Sequence, residues 1–152
     1  MAQSFRRMRG GDISPSPVNP DTAYSAVFVL PIHYMLERTK DVYEAARRSW
    51  IVSQKFRDLP ESLAVGIAAG WTSVGVFEIN AWRRDSNLGK PKWEFDGITL
   101  SDDHPLALKN WRKVIDAAIV HWKYGNYMIV EFDGKGRFRV LKGSTNRTWH
   151  QL

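Results

Sequence analysis

Apolar and polar residues alternate in two parts of the chain in the pattern of β-hairpins. Residues 63–82 alternate on both sides of a small-residue break at residues 68–70, and residues 127–141 alternate on both sides of the sequence Asp-Gly-Lys-Gly. A period of two is typical of strands with one buried face, and glycine can take the positive φ that tight turns need. The pattern therefore predicts two hairpins.

Two shorter apolar runs predict further strands. Residues 26–30, AVFVL, are all apolar, which favours a strand buried on both faces, and Pro31 should end it. Residues 93–100, WEFDGITL, predict a short or bulged strand that follows a polar loop at residues 83–92.

Two other stretches show the periodicity of helices. In residues 39–57, apolar and small residues recur at spacings of three and four, and Trp50 lies in this stripe. A second helix is predicted over about residues 105–123, with Trp111 on its apolar face, because Pro105 is favoured at the first helical position. Both stripes should pack on the sheet and bury the two tryptophans.

The predicted order of elements, β-α-β-β-β-α-β-β, indicates the α+β class. Mostly antiparallel strands interrupted by two main helices favour a mixed, curved sheet or a small barrel plugged by one helix. We assign residues 22–152 to this single domain. Residues 1–21 are predicted to be a flexible basic arm, because they carry several arginines together with prolines that disfavour a helix.

The composition narrows the class of protein. The chain has 152 residues, 43% of them hydrophobic, which suits one domain with a buried core. It contains no cysteine, so disulfides, thiolate metal sites and a cysteine nucleophile are excluded. No apolar run approaches the roughly 18–20 residues of a membrane span, and no apolar signal segment follows the first arginines. We therefore expect a cytoplasmic protein without a membrane partner.

Motifs that carry enzymatic chemistry are absent from the sequence. The four histidines lack the spacing of metal ligands, and the glycines form neither a phosphate-binding loop nor the turn of a serine nucleophile. Residues 131–135, EFDGK, are similar to the acidic-and-lysine clusters of metal-dependent nucleases, but a hairpin turn explains the same residues. We predict no catalytic residue, no metal site and no cofactor.

The charge pattern indicates an anionic partner. The net charge is +6 and the isoelectric point is about 9.7, and nucleic acid is the commonest anionic partner of a small basic protein. Trp82 and Trp93 bracket the basic loop, a composition typical of proteins that grip phosphates while a ring stacks on a base. Alternatively, the two rings close one end of the core. The candidate nucleic-acid-binding residues are Arg47, Arg48, Trp82, Arg83, Arg84, Lys90, Lys92 and Trp93.

Three short phrases resemble a known group of domains. The Ser-Trp pair at residues 49–50, GVFEINAW at residues 75–82 and WEFDG at residues 93–97 resemble small prokaryotic and phage domains of PUA-like appearance, which include the ASCH and EVE types. The resemblance covers about residues 24–100 and implies a small mixed barrel that binds RNA or a modified base in a cleft. The chain lacks the G-x-K-x-x-E-x-R motif associated with ASCH domains, so no ligand-binding residue is carried over.

These observations predict a nucleic-acid-binding module, for RNA or for a single-stranded or modified base, rather than an enzyme. The alternative is a phage or prokaryotic protein-interaction factor, and a metal-dependent nuclease comes third. Basic residues clustered on one face would favour nucleic acid, and an exposed apolar patch of several hundred Å² would favour a protein partner. Converging carboxylates in a cleft would favour the nuclease.

Overall fold

The computed structural model describes residues 20–48, 50–86, 91–107, 110–117, 127–144 and 147–152. Within these ranges the strands are β1 Ala23–Pro31, β2 Leu63–Ala68, β3 Thr72–Ser86, β4 Lys92–Thr99, β5 Met128–Asp133, β6 Arg137–Lys142 and β7 His150–Gln151. The helices are α1 His33–Thr39, α2 Val42–Arg47, α3 Gln54–Arg57 and α4 Arg112–Ile115. Nearly all of the predicted basic arm, Lys90 and the end of the second predicted helix lie outside the described residues.

The strands form one sheet in the order β4-β3-β2-β1-β5-β6-β7. Strands β1 and β2 are parallel, and every other neighbouring pair is antiparallel. The parallel pair is possible because α1, α2 and α3 provide the long crossover that parallel neighbours require. The prediction of an α+β fold with a mixed, mostly antiparallel sheet is confirmed. The strand order is open, with β4 and β7 at its two ends.

The first strand lies at the centre of the sheet and is buried on both faces. Val27 and Val29 point into one apolar layer, which the segment around α4 covers, and Phe28 and Leu30 point into the other, which α1 to α3 cover. All four side chains are fully buried. The two-sided burial predicted for the continuous apolar run is therefore confirmed, because helices or loops cover both faces of the central strand.

The predicted continuous helix over residues 39–57 is wrong. Helix α2 ends at Arg47, the backbone of Arg48 is extended, and α3 begins six residues later. Between the helices, Trp50 exchanges two backbone hydrogen bonds with Trp93, of 2.8 and 3.0 Å. The indole N–H of Trp50 donates to the carbonyl of Ala46 at 2.7 Å. In a continuous helix the backbone N–H of Trp50 would donate to this same carbonyl. Sheet pairing thus replaces the second half of the helix, although Trp50 is buried as predicted.

The second predicted helix is also largely wrong within the described residues. Residues around Pro105 form turns. Among the described residues from 105 to 117, only Arg112–Ile115 is helical. The imidazole Nδ1 of His104 accepts the backbone N–H of Leu106 at 3.1 Å, and the amide oxygen of Asn110 accepts that of Arg112 at 3.0 Å. Such local side-chain bonds compete with helical ones. Trp111 is nevertheless fully buried, as the apolar stripe predicted.

Both predicted hairpins are present, but the first one continues further than expected. Strand β3 runs on to Ser86 and β4 begins at Lys92, so residues 83–86 and 92 of the predicted basic loop at residues 83–92 belong to strands. The turn between β2 and β3 has positive φ at Gly70 and at Trp71, 82° and 62°. None of the helices in the described part of the chain has the length and apolar composition needed to cross a membrane.

Side chains of α2 cover the outer edge of β4. Beyond the Trp50 pairing, the Arg47 Nε donates to the carbonyl of Phe95 at 3.1 Å, and the hydroxyl of Tyr43 accepts the backbone N–H of Gly97 at 3.0 Å. An edge strand otherwise presents unpaired N–H and C=O groups to other chains. Tyr43 and Arg47 of α2 and the following Trp50 therefore each bond the outward-facing backbone of this edge strand, at Gly97, Phe95 and Trp93.

The β5–β6 hairpin is closed by Asp133. Its carboxylate accepts the backbone N–H groups of Lys135 and Arg137 at 2.8 and 3.1 Å and forms an ion pair with the Arg137 guanidinium at 2.6 Å. Burial acts to raise the pKa of Asp133, but the hydrogen bonds and the charge of Arg137 outweigh it, so the pKa lies below the ordinary value.

We expect Asp133→Asn to reduce the acid sensitivity of the fold. A carboxyl whose pKa is lower in the folded state contributes stability that is present above its unfolded pKa of about 4 and is lost as the pH falls through the folded value. Melting temperatures measured from pH 6 down to pH 2 should therefore fall less in the variant than in the wild type. Glu37→Gln, which alters an exposed carboxylate on α1, is the control and should follow the wild type. Parallel curves for D133N and the wild type would contradict the assignment.

Candidate nucleic-acid interface

The two faces of the β3–β4 ribbon separate the predicted residues into two groups. The ribbon consists of residues 79–86 of β3 and residues 92–97 of β4, which lie beyond the end of the β2–β3 pairing. Trp82 is opposite Phe95 and Arg84 is opposite Trp93, whereas Arg83 is opposite Glu94. Because successive side chains of a strand alternate between faces, Arg83 lies on the face opposite to that of Trp82 and Arg84. We call the face that carries Arg83 and Glu94 the ionic face. The face that carries Trp82, Arg84 and Trp93 is the aromatic face.

The ionic face is an ion-pair network that reaches the buried Arg47. One nitrogen of the Arg47 guanidinium lies 2.9 Å from Glu94 and the other lies 2.6 Å from Asp96. Arg83 approaches the same two carboxylates at 3.3 and 2.9 Å. Arg48 pairs with Glu44 at 3.0 Å. Three of the predicted arginines therefore face three carboxylates.

Arg47 is the centre of this network. The residue is only 6% exposed. Burial acts to lower its pKa, but the hydrogen bond to Asp96 and the charge of Glu94 outweigh burial, and the pKa is raised. Because its guanidinium is already engaged by carboxylates and by the Phe95 carbonyl, the geometry gives Arg47 a structural role. A phosphate at Arg47, Arg48 or Arg83 would have to compete with these partners.

The aromatic face combines two indole rings with two cations. Trp82 is half-buried, with its ring centroid 5.5 Å from that of Phe28. The guanidinium carbon of Arg57 lies 3.7 Å from the centroid of the Trp93 ring, and that of Arg84 lies 5.8 Å from it. Arg57 also donates to the carbonyl of Val52. The face therefore holds a cation–π stack beside a second, partly exposed ring.

Arg57 is the functional candidate that sequence reasoning missed. Its position follows from the pairing of Trp50 with Trp93, which carries the start of α3 to the edge of the ribbon. A pattern within a short stretch of sequence cannot predict the contact between Arg57 and Trp93, because the two residues lie far apart along the chain. Arg84 and Lys92 are exposed and form no ion pair with another described residue, so these two predicted residues remain available to an anion. Lys90 lies outside the described residues.

A groove of about 340 Å³ lies beside the aromatic face. It is lined by residues 57–62 on one side and residues 79–82 on the other, and Trp82 and Arg57 both contribute to its wall. The pairing of β3 with β4 shifts register between Ile79 and Ala81, which leaves Asn80 at a bulge in this wall. Opposite the bulge, a Cβ on Gly97 would lie 2.0 Å from a backbone oxygen of β3. Only glycine permits this close approach.

The acidic residues that suggested a nuclease are used within their own hairpin. Glu131 pairs with Arg139 and Asp133 pairs with Arg137. Among the residues that the structure describes, no three histidines, aspartates or glutamates are grouped so that they could hold a metal ion. The carboxylates of residues 131–135 therefore have structural partners and do not converge in the groove.

Comparison of the chain with protein-family models, with curated proteins and with solved structures finds no match. The PUA-like resemblance therefore stays an expectation from the sequence.

Proposed function

We propose that the protein binds single-stranded nucleic acid, RNA or DNA, with the aromatic face of the β3–β4 ribbon and the adjacent groove. The observation that carries the proposal is the stack of Arg57 on Trp93 beside a groove walled by Trp82. Proteins that bind single strands combine aromatic or guanidinium planes, on which bases stack, with cations that follow the backbone. Arg84 is an exposed cation on this face, next to Trp93, whereas Lys92 lies by strand alternation on the same face of β4 as Glu94.

The size of the groove and the fixed position of Trp82 suit one unpaired base. Its volume of about 340 Å³ lies at the lower end of the range for small-molecule pockets. The half-buried Trp82 offers a ring that the core already holds in place through Phe28 and Phe95, with ring centroids 5.5 and 5.6 Å away. A ring fixed in this way loses little conformational entropy when a base stacks on it.

A protein partner is the second hypothesis. The large apolar side chains that are exposed in the described residues are Tyr34, Ile51, Val74 and Ile98. None of them lines the groove beside the aromatic face. The aromatic face therefore gives nucleic acid the stronger support.

The neighbouring arginines of β3 provide a matched test. Arg84→Ala should weaken binding of a fluorescein-labelled single-stranded 12-mer and reduce the dependence of log K on log salt by about 0.7, the value for one phosphate contact on a single strand. Arg83→Ala should leave that salt slope unchanged, because its guanidinium faces Glu94 and Asp96. Fluorescence anisotropy at several salt concentrations gives both slopes.

Two outcomes would contradict the proposal. Equal changes in affinity and in salt slope for R83A and R84A would show that the ligand does not distinguish the two faces of the ribbon. Absence of binding to single-stranded RNA and DNA at low salt would end the nucleic-acid hypothesis and leave the protein partner in its place. Melting temperatures of both variants should be measured alongside, so that lost affinity is not confused with unfolding.

A further inference from the structure

The polar lining of the groove differs from that of a phosphate site. Besides Arg57, the residues that line the groove include Asp58, Glu61 and Asn80, which bring two carboxylates and one amide to it. Asp58 and Glu61 are exposed, and neither forms an ion pair with another described residue. Carboxylates accept hydrogen bonds and repel phosphate oxygens. The groove therefore suits the edge of a base, while the backbone of a bound strand is left to the exposed cations of the ribbon.

The combination of donors and acceptors in the groove selects among the bases. The Watson–Crick edge of guanine presents two adjacent N–H donors, at N1 and N2, which one carboxylate can accept together, and its O6 and N7 accept from arginine. Adenine and cytosine each present a single amino donor next to a ring acceptor, which a carboxylate would repel. One of the five N–H donors of Arg57 bonds the Val52 carbonyl, and the other donors can bond an acceptor on the base.

We propose that the groove recognises an unpaired guanine, with Asp58 or Glu61 accepting its N1 and N2 hydrogens and Arg57 donating to its acceptor edge. This inference rests on the proposed function and names the base that the site takes. The indole of Trp82 supplies the stacking surface, which every base can use, so the preference comes from the polar groups alone.

The test uses four labelled oligouridylate 9-mers whose central residue is guanine, inosine, adenine or cytosine. Anisotropy titrations of the full chain should show the guanine probe bound about tenfold more tightly than the adenine probe, the discrimination expected of a good bidentate contact. Inosine keeps N1–H and O6 but lacks the 2-amino group, so its affinity should fall between the two. This intermediate value distinguishes recognition of the edge from stronger stacking of a purine.

Variants of Asp58 and Glu61 test whether these carboxylates cause the preference for guanine. The double variant Asp58→Asn/Glu61→Gln should bring the ratio of adenine to guanine dissociation constants close to one. Glu37→Gln, on α1 and outside the groove, is the matched control and should keep the wild-type ratio. A double variant that retains the guanine preference would overturn the inference.

The remaining outcomes separate this inference from the proposed function. If all four probes bind equally well, the guanine preference is wrong and single-strand binding stands. If none binds at low salt, both proposals fail together. Binding of labelled oligolysine in place of the probes would show that the acidic groove takes a cationic peptide, which would also overturn both.

Discussion

Replacement of Trp111 by alanine is expected to lower the free energy of unfolding by about 3–5 kcal/mol. The ring is fully buried in the layer beneath the sheet, where it meets Phe132 edge-on with a centroid distance of 6.1 Å. Its removal leaves a cavity among side chains that α4 and the β5–β6 hairpin hold in place. For a chain of this length, such a loss corresponds to a fall in melting temperature of roughly 6–20 °C.

Two further variants make the Trp111 prediction specific. The indole N–H of Trp111 has no hydrogen-bond partner among the described residues, so Trp111→Phe loses ring volume but no hydrogen bond and should cost much less than alanine. Ile98→Ala alters a side chain that is 54% exposed and should change stability by no more than about 0.5 kcal/mol. Denaturant unfolding compares all three. An alanine variant as stable as I98A would show that the ring is not part of the core.

Replacement of Arg47 by alanine is expected to cost about 3 kcal/mol of unfolding free energy. The change leaves Glu94 and Asp96 without the guanidinium that now lies 2.9 and 2.6 Å from them, and it removes the donor to the Phe95 carbonyl. The expected cost lies at the low end of the range for breaking a buried ion pair, because Arg83 still faces the same two carboxylates.

The adjacent residue, Arg48, is the control for this prediction. Its side chain is 48% exposed and pairs chiefly with Glu44, so Arg48→Ala should cost no more than about 1 kcal/mol, as exposed ion pairs do. Urea unfolding of the two variants tests the contrast. Equal losses for R47A and R48A would mean that the network is a surface feature and that Arg47 remains open to a ligand.

Local periodicity predicted the strands well because it reports which faces are buried. The uninterrupted apolar run of β1 indicated a central strand covered on both sides, and the Asp-Gly-Lys-Gly sequence marked the turn between β5 and β6. In both cases the residues that carry the signal lie within a few positions of one another along the chain. The α+β class followed from the order of these elements.

The helices were predicted poorly because apolar periodicity does not report the hydrogen bonds, distant or local, that decide where a helix ends. The apolar stripe through Trp50 is real, but its backbone pairs with Trp93, and this pairing ends the helix that the stripe alone would continue. Around Pro105, the side chains of His104 and Asn110 bond to nearby backbone groups and form turns. Sequence periodicity shows which side chains are buried, whereas tertiary hydrogen bonds at Trp50 and local side-chain bonds near Pro105 determine which secondary structure buries them.

The candidate site was predicted only in part for the same reason. Treating residues 83–92 as a loop placed Arg83 and Arg84 on one surface, whereas strand alternation puts them on opposite faces. The carboxylates that engage Arg47 come from β4, and the cation that stacks on Trp93 comes from α3. Composition revealed the tryptophans and the charge, but it did not reveal which charges neutralise each other.

The coverage of the β4 edge has a consequence for self-association. Tyr43, Arg47 and Trp50 occupy the hydrogen-bonding positions that a strand from a second molecule would need, so this edge cannot act as a template for intermolecular sheet growth while α2 is docked. Detachment of α2 would uncover the backbone groups of β4 at Phe95 and Gly97 that it now bonds. Exposure of the β4 edge to a second molecule is therefore coupled to the docking of one six-residue helix.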